Sequence, residues 1–253
     1  METLFVGQTF IDLDETHSTN SYATNLLKQT SVAEGTLVFT KNQTKGRGQL
    51  GNTWQAEEGK NITFSLILHP IFLTVDKQFY LSKITSLAVF GMLTEFLNLS
   101  LYDIKIKWPN DILVNNGKIA GILIENILRG SFLQSSVIGV GININQLNFV
   151  DIHKQTTSLA LLLKKEFNVK QSLSLFCKHF EAFYLMLKQG NFDKITQAYL
   201  QQLYKFNQWA NYQASNKTFS AKITGIEENG LLLLVTKQNE VLKYNFKEIV
   251  FLD

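Results

Sequence analysis

The stretch Lys107-Trp108-Pro109-Asn110-Asp111-Ile112-Leu113-Val114-Asn115-Asn116-Gly117-Lys118-Ile119-Ala120-Gly121 constrains the fold more than any other. Apolar residues before, within and after it read as β-strand. Asn116-Gly117 signals a two-residue type I′ turn, whose central residues both need positive φ. That turn pairs Asn115 with Lys118, Leu113 with Ala120 and Asp111 with Ile122. Asp111 and Lys118 then project from one sheet face, four residues apart along the ladder, roughly 13 Å at the strand rise. A carboxylate and an ammonium so arranged, with Lys107 just upstream, can hold a long anionic ligand and its metal. A surface hairpin with solvated charges carries the same pattern. Against that simpler reading, Trp108-Pro109-Asn110-Asp111 interrupts the run with residues that strands avoid. Pro109 is one of only two prolines in the chain. A tight polar break inside an apolar sheet marks a site more often than a packing need.

A chain of 253 residues is long enough for one substantial core plus a small second module. Its 45% hydrophobic and 18% charged residues are ordinary for a globular protein. A net charge of +3 permits anionic ligands such as ATP but is too weak to argue for nucleic acid. One cysteine, Cys177, excludes an internal disulfide and any cysteine-based metal cage, and its apolar helical setting reads as a buried small hydrophobe. No signal peptide and no membrane-spanning run is legible, so a cytoplasmic location without membrane contact is the expectation.

Phe10-Ile11-Asp12-Leu13 reads as a short strand. Ser18 or Thr19 then caps a helix through Tyr22, Ala23, Leu26 and Leu27. Gly35 to Thr40 is a strand that runs into a loop from Lys41 to Trp54, with Gly46, Gly48 and Gly51 inside six residues. Such a backbone can approach phosphate closely, yet it is neither a Walker A loop nor a dinucleotide fingerprint. Asn61 to Leu68 alternates as a half-buried strand, and Asp76 to Asn98 has the spacing of a core helix. After the hairpin, Ile119 to Asn126 and Gln134 to Gly141 are strands. The second contains Gly139 and Gly141, which weaken a strand unless something approaches its backbone. Helices follow over Thr157–Lys165, Leu173–Lys188 and Asp193–Phe206. From Thr218 the period switches to several short strands, with Asn229-Gly230 as another turn signal.

Lys-Trp-Pro-Asn-Asp followed by Gly-Lys-Ile-Ala-Gly-Ile-Leu resembles the core signature of biotin protein ligases. Ser18-Thr19-Asn20, the Gly46-Arg47-Gly48-Gln49 loop ending in Trp54, and Gly139-Val140-Gly141-Ile142-Asn143 resemble further motifs of that family. The resemblance covers nearly the whole chain. It implies an α+β fold: a mixed or antiparallel central sheet flanked by helices over residues 1–208, then a small C-terminal SH3-like β-barrel over 209–253. It implies that biotin and ATP are substrates, that Mg²⁺ assists, and that biotinyl-5′-AMP forms before biotin passes to a lysine of a biotin carboxyl carrier protein.

Carried over residue by residue, the resemblance assigns Lys118 and Arg47 to catalysis. Biotin falls to Ser18, Thr19, Asn20, Gln43, Gly46, Arg47, Gly48, Lys118, Gly121 and Gly139. ATP falls to Arg47, Gln49, Trp54, Lys107, Asn110, Asp111, Lys118, Gly141 and Asn143, with Asp111 holding Mg²⁺ directly or through water. Some family members have a second arginine where this chain has Gln49, which adds no charge to retain the intermediate. The chain begins at the catalytic domain, so no DNA partner is expected. Exposed sheet edges in this fold can pair, which leaves a homodimer open. Two other readings stand beside this one: a lipoate–protein ligase or octanoyltransferase of the same fold, and a non-catalytic nucleotide- or RNA-binding module.

Overall fold

The computed structural model describes residues 2–149 and 155–252. Seven strands form one mixed sheet: β1 (Phe10–Thr16), β2 (Thr36–Gln43), β3 (Ile62–Leu68), β4 (Ile104–Lys107), β5 (Asp111–Val114), β6 (Gly117–Arg129) and β7 (Phe132–Ile142). Their spatial order is β1-β2-β3-β7-β6-β5-β4. Only β1 and β2 run parallel, because helix α1 (Thr19–Gln29) carries the chain between them; the other neighbours are antiparallel.

Two helices cover one face of this sheet, α2 (Phe79–Thr94) and α4 (Val169–Lys188), with α3 (Leu159–Leu163) and α5 (Phe192–Gln201) beside them. The largest core cluster lies here, joining Phe64, Leu66 and Ile138 of the sheet to Ile84, Phe176 and Phe180 of the helices. On the opposite face α1 covers only part of the surface, packing Ala23 against Val38, Ile67 and Val137. Next to that patch Gly121 of β6 and Gly139 and Gly141 of β7 occupy the same face, so the sheet beyond α1 stays open. Every residue of β3 is buried, with the helices on one face and α1 or the loop of residues 43–54 above the other.

A second, antiparallel sheet has the order β11-β10-β9-β8-β12 and is consistent with a small SH3-like domain. It is built from β8 (Trp209–Ala214), β9 (Lys217–Ile226), β10 (Leu232–Thr236), β11 (Val241–Tyr244) and β12 (Val250–Leu252). The period-2 signal at Thr218 misses β8, in which only Tyr212 is buried. No helix among the described residues is long and apolar enough to cross a membrane.

The hairpin register differs from the sequence expectation. Asn115 and Asn116 both have positive φ, at 49° and 66°, so they form the turn and Gly117 opens β6. Asparagine tolerates the left-handed region better than other non-glycine residues, which lets the turn start one residue early. Val114 therefore pairs with Gly117, Leu113 with Lys118, Ile112 with Ala120 and Asp111 with Gly121, with a bulge between Ile112 and Leu113. The shift shortens the ladder separation by one residue, the bulge keeps both side chains on one face, and the long lysine side chain spans the rest: Lys118 Nζ lies 2.6 Å from Asp111 Oδ1.

Candidate active site

The open half of the sheet is the floor of a cleft of about 300 Å³. Strand pairing explains the floor. Thr63, Gly141, Gly121 and Asp111 form one row across β3, β7, β6 and β5; Ser65, Gly139 and Leu123 form the next. The glycines are required by what lies over them. A Cβ on Gly141 would meet the Trp54 indole at 2.2 Å, and one on Gly139 would meet Asn20 Oδ1 at 2.3 Å.

Residues 43–54 fold back as a small hairpin over this floor. Arg47 bridges Thr53, the Gly48 amide donates to Asn52 O and the Trp54 amide donates to Gly46 O. Gly46 serves this closure, since a Cβ there would meet Trp54 O at 2.2 Å. Gly46 is absent from the lining, whereas Arg47, Gly48, Gln49 and Trp54 line the cleft. Trp54 Nε1 is buried without a hydrogen-bond partner, and Lys118 Nζ sits 5.9 Å from the indole centroid.

The start of α1 supplies the polar wall. Ser18 occupies the N-cap position, but its side chain makes no capping bond. Instead Gln43 Oε1 accepts from the Thr19 amide at 2.8 Å and from Thr19 Oγ1 at 3.1 Å. Ser65 Oγ donates to Asn20 Oδ1 at 2.6 Å and lies 2.8 Å from Thr19 Oγ1. Ser18, Thr19 and Asn20 are all buried and all line the cleft with Gln43. Such hydroxyl and amide groups can present donors and acceptors to a polar ring.

The far wall comes from Pro109, Asn110, Asp111 and Lys118. Asn110 Nδ2 donates to Ile122 O, and the Ile122 amide returns a bond to Asn110 O, fixing the turn against β6. The backbone of Lys118 is gripped by residues 155–157: its amide donates to Gln155 O and its carbonyl accepts from Thr157. Lys107 and Trp108 have a different setting. Lys107 Nζ lies over the rings of Tyr204 and Phe251 and is not among the lining residues. Trp108 lines the cleft with one part of its buried ring, while its Nε1 donates to Gly230 O at 3.0 Å and the ring packs on Phe246. Asn143 also lies outside the lining, with its amide nitrogen bonded to Thr157 O. The lining also includes Phe246, Lys247, Ile249 and Phe251 of the C-terminal segment, and Thr63 on the floor.

A family model of the biotin/lipoate A/B protein ligases matches residues 13–143, which contain the floor, the glycine loop, the polar wall and the charged wall. The chain belongs to the biotin/lipoate A/B protein ligase family. Within it the likeness is to biotin protein ligases. The chain is 33% identical over 243 residues to the bifunctional ligase/repressor BirA of Bacillus subtilis, covering 94% of this chain and 73% of that protein. It is 31% identical over 143 residues to a biotin–[acetyl-CoA-carboxylase] ligase of Mycobacterium tuberculosis, covering 55% and 52% of the two. The biotin protein ligase of Aquifex aeolicus, solved in complex with biotin and ATP, superposes with a TM-score of 0.78 at 25% identity, covering 96% of this chain and 98% of that one.

Two charged residues at or beside this ligase's cleft lie outside the motifs: Lys247, in the lining, and Glu125, behind Arg47 and Asn20. Glu125 accepts from Asn20 Nδ2 at 2.8 Å and pairs with Arg47 Nη2 at 2.6 Å. Strand alternation from Gly121 through Leu123 was the signal that could have found Glu125.

Proposed function

We propose that this ligase activates biotin with ATP to give biotinyl-5′-AMP and pyrophosphate, then transfers biotin to a lysine of a carrier domain of the biotin carboxyl carrier type. The observation that carries the proposal is the convergence of Arg47, Lys118 and the Asn20–Gln43 polar wall on one glycine-floored cleft. A ligand with a polar ring at one end and a carboxylate at the other fits that polarity. The first step joins two anions, so the main catalytic demand is positive charge at the reacting oxygens. The biotin carboxylate attacks the α-phosphorus, and the bond to the pyrophosphate oxygen breaks. Lys118 stabilises the charge on the carboxylate and α-phosphate oxygens. Arg47 grips the same oxygens with its planar fork. In the second step the carrier lysine's ε-amine attacks the acyl carbon and AMP leaves. Trp54 and Gly141 form the side against which the adenine stacks.

Asp111 and the Asn110 side-chain oxygen are the oxygen donors suited to Mg²⁺. No group of three or more acidic, histidine or cysteine ligands occurs among the described residues. That donor set fits an ion that keeps its waters and travels on the phosphates rather than a resident cage. When bound it would neutralise phosphate charge. The cytoplasm, where ATP is plentiful, is the compartment that suits this chemistry. We also propose the division into a catalytic unit, 1–208, and an SH3-like module, 209–253, a reading supported by β8 opening at Trp209.

The test is exchange of labelled pyrophosphate into ATP. Exchange that requires biotin supports the reading. Exchange with lipoate in its place moves the substrate to the lipoyl class. No exchange with either overturns the adenylation step.

A further inference from the structure

We propose that Glu125 is a positioning residue that builds the glycine loop and the polar wall as one unit. The proposal rests on the reading that Arg47 and Asn20 both face biotin or its adenylate. Glu125 follows Gly121 and Leu123 on the face of β6 that carries the cleft. One carboxylate oxygen takes Arg47 Nη2 at 2.6 Å. The other takes Asn20 Nδ2 at 2.8 Å and lies 3.4 Å from Arg47 Nη1, which also reaches Ser21 Oγ at 3.3 Å. From Asn20 the contacts continue through Ser65 and Thr19 to Gln43, at the base of the same loop that carries Arg47. The circuit therefore starts and ends on residues 43–47, with the start of α1 and the sheet floor inside it.

Two physical points make this arrangement a positioning device. Arg47 and Glu125 keep 47% and 34% of their side chains exposed, so their pairing adds little to global stability. Its effect is on where the groups are held. A guanidinium has five N–H donors in a fixed fork. Glu125 engages the two terminal nitrogens from one side, which orients the plane and leaves further N–H groups for ligand oxygens. The same carboxylate, together with Leu123 O at 3.2 Å, fixes which way the Asn20 amide points, because only its NH₂ can meet these two acceptors while its carbonyl accepts from Ser65. One carboxylate thus sets the orientation of both the Asn20 amide and the Arg47 guanidinium, which it holds side by side.

The experiment uses the full chain with Glu125→Ala, Glu125→Asp, Arg47→Ala and the Glu125→Ala/Arg47→Ala double variant. The first readout needs no ligand: tryptic cleavage after Lys45 and Arg47 in the folded protein, beside a thermal melt. Glu125→Ala is expected to cleave at least fivefold faster with an almost unchanged melting midpoint, and Glu125→Asp to fall between it and the parent. The second readout is calorimetric biotin binding. Glu125→Ala is expected to weaken biotin about tenfold, and by less than twofold once Arg47 is already alanine. Unchanged cleavage, or an undiminished biotin effect in the Arg47→Ala background, overturns the proposal. Cleavage that responds as expected in a parent chain that binds no biotin upholds the positioning role and rejects the biotin reading.

Discussion

Gly141→Ala separates what the cleft floor does for stability from what it does for function. Gly141 lies within β7 and its φ is not in the left-handed region, so its backbone can accept a side chain. Taken alone, such a change stabilises by about 0.4–1 kcal/mol through the unfolded chain. The added methyl, however, meets Trp54 Cε2 at 2.2 Å and Cζ2 at 2.5 Å, so the indole must leave the floor. Trp54 is half-buried. Half of the roughly 150–250 Å² a tryptophan can bury, at about 25 cal/mol/Å², amounts to roughly 2–3 kcal/mol, or about 30- to 150-fold. That loss falls on the loop and on a nucleotide that uses the indole, while the global fold is spared. The expected result is a rise of that size in the ATP KM for pyrophosphate exchange, a red-shifted Trp54 emission and a melting point within a few degrees of the parent. Gly121→Ala, whose methyl meets Trp54 Cζ3 at 3.1 Å, should show a much smaller effect. An unchanged ATP KM in Gly141→Ala, or equal effects of the two variants, would refute the reasoning.

Lys118→Met keeps the aliphatic stem and removes the charge; pyrophosphate exchange should fall by about 10²–10³, the usual effect of losing one transition-state donor, with biotin binding changed less than tenfold. Burial pulls the Lys83 ammonium down to about 8 from its ordinary 10.5, and its Nζ has Thr196 Oγ1 at 3.0 Å and the Tyr80 ring for company. Between pH 8 and 10.5 the unfolded chain holds more protons at this site than the folded one, so stability rises with pH across that window by about 3 kcal/mol at most. Urea unfolding at pH 7.5 and 9.5 should show about 2 kcal/mol of that rise in the parent and lack it in Lys83→Met, which should also be the more stable protein at pH 7.5. The Cys177 thiol is fully buried and is pushed up to about 12 by that burial, so iodoacetamide at pH 8 should label it only after denaturation. Trp108→Phe removes the bond to Gly230 O and should lower stability by about 1–3 kcal/mol, read from urea midpoints.

The parts of the site that were legible in the sequence are those whose local backbone demands them. Glycines at 139 and 141, a proline within an apolar hairpin and a glycine-rich loop each announce a backbone approached by something else. Register was less legible. Asn115-Asn116-Gly117 offers two adjacent turns, and one of them is selected only by the full ladder and its bulge at Ile112/Leu113. Lys107 shares a motif with Asp111 yet lies outside the lining over the Tyr204 and Phe251 rings, and Trp108 is anchored by Gly230 and Phe246; Gly230, Phe246 and Phe251 stand more than a hundred residues downstream. The lining from Phe246 to Phe251 was hidden for the same reason. Glu125 was readable from alternation but lies outside the motif that drew attention to its strand.

A floor of peptide groups has no rotamers. Where Gly121, Gly139 and Gly141 meet the cleft, the surface can change shape only by breaking strand pairing, which the sheet opposes. Adaptation to a guest falls mainly to the rim, where the Arg47–Glu125 and Lys118–Asp111 pairs are partly exposed to water. Such pairs are screened by ions, whereas a strand ladder is not. Added salt should thus quicken the opening and closing of the rim and leave the depth of the cleft untouched, so residence time and fit become separately adjustable properties of one site.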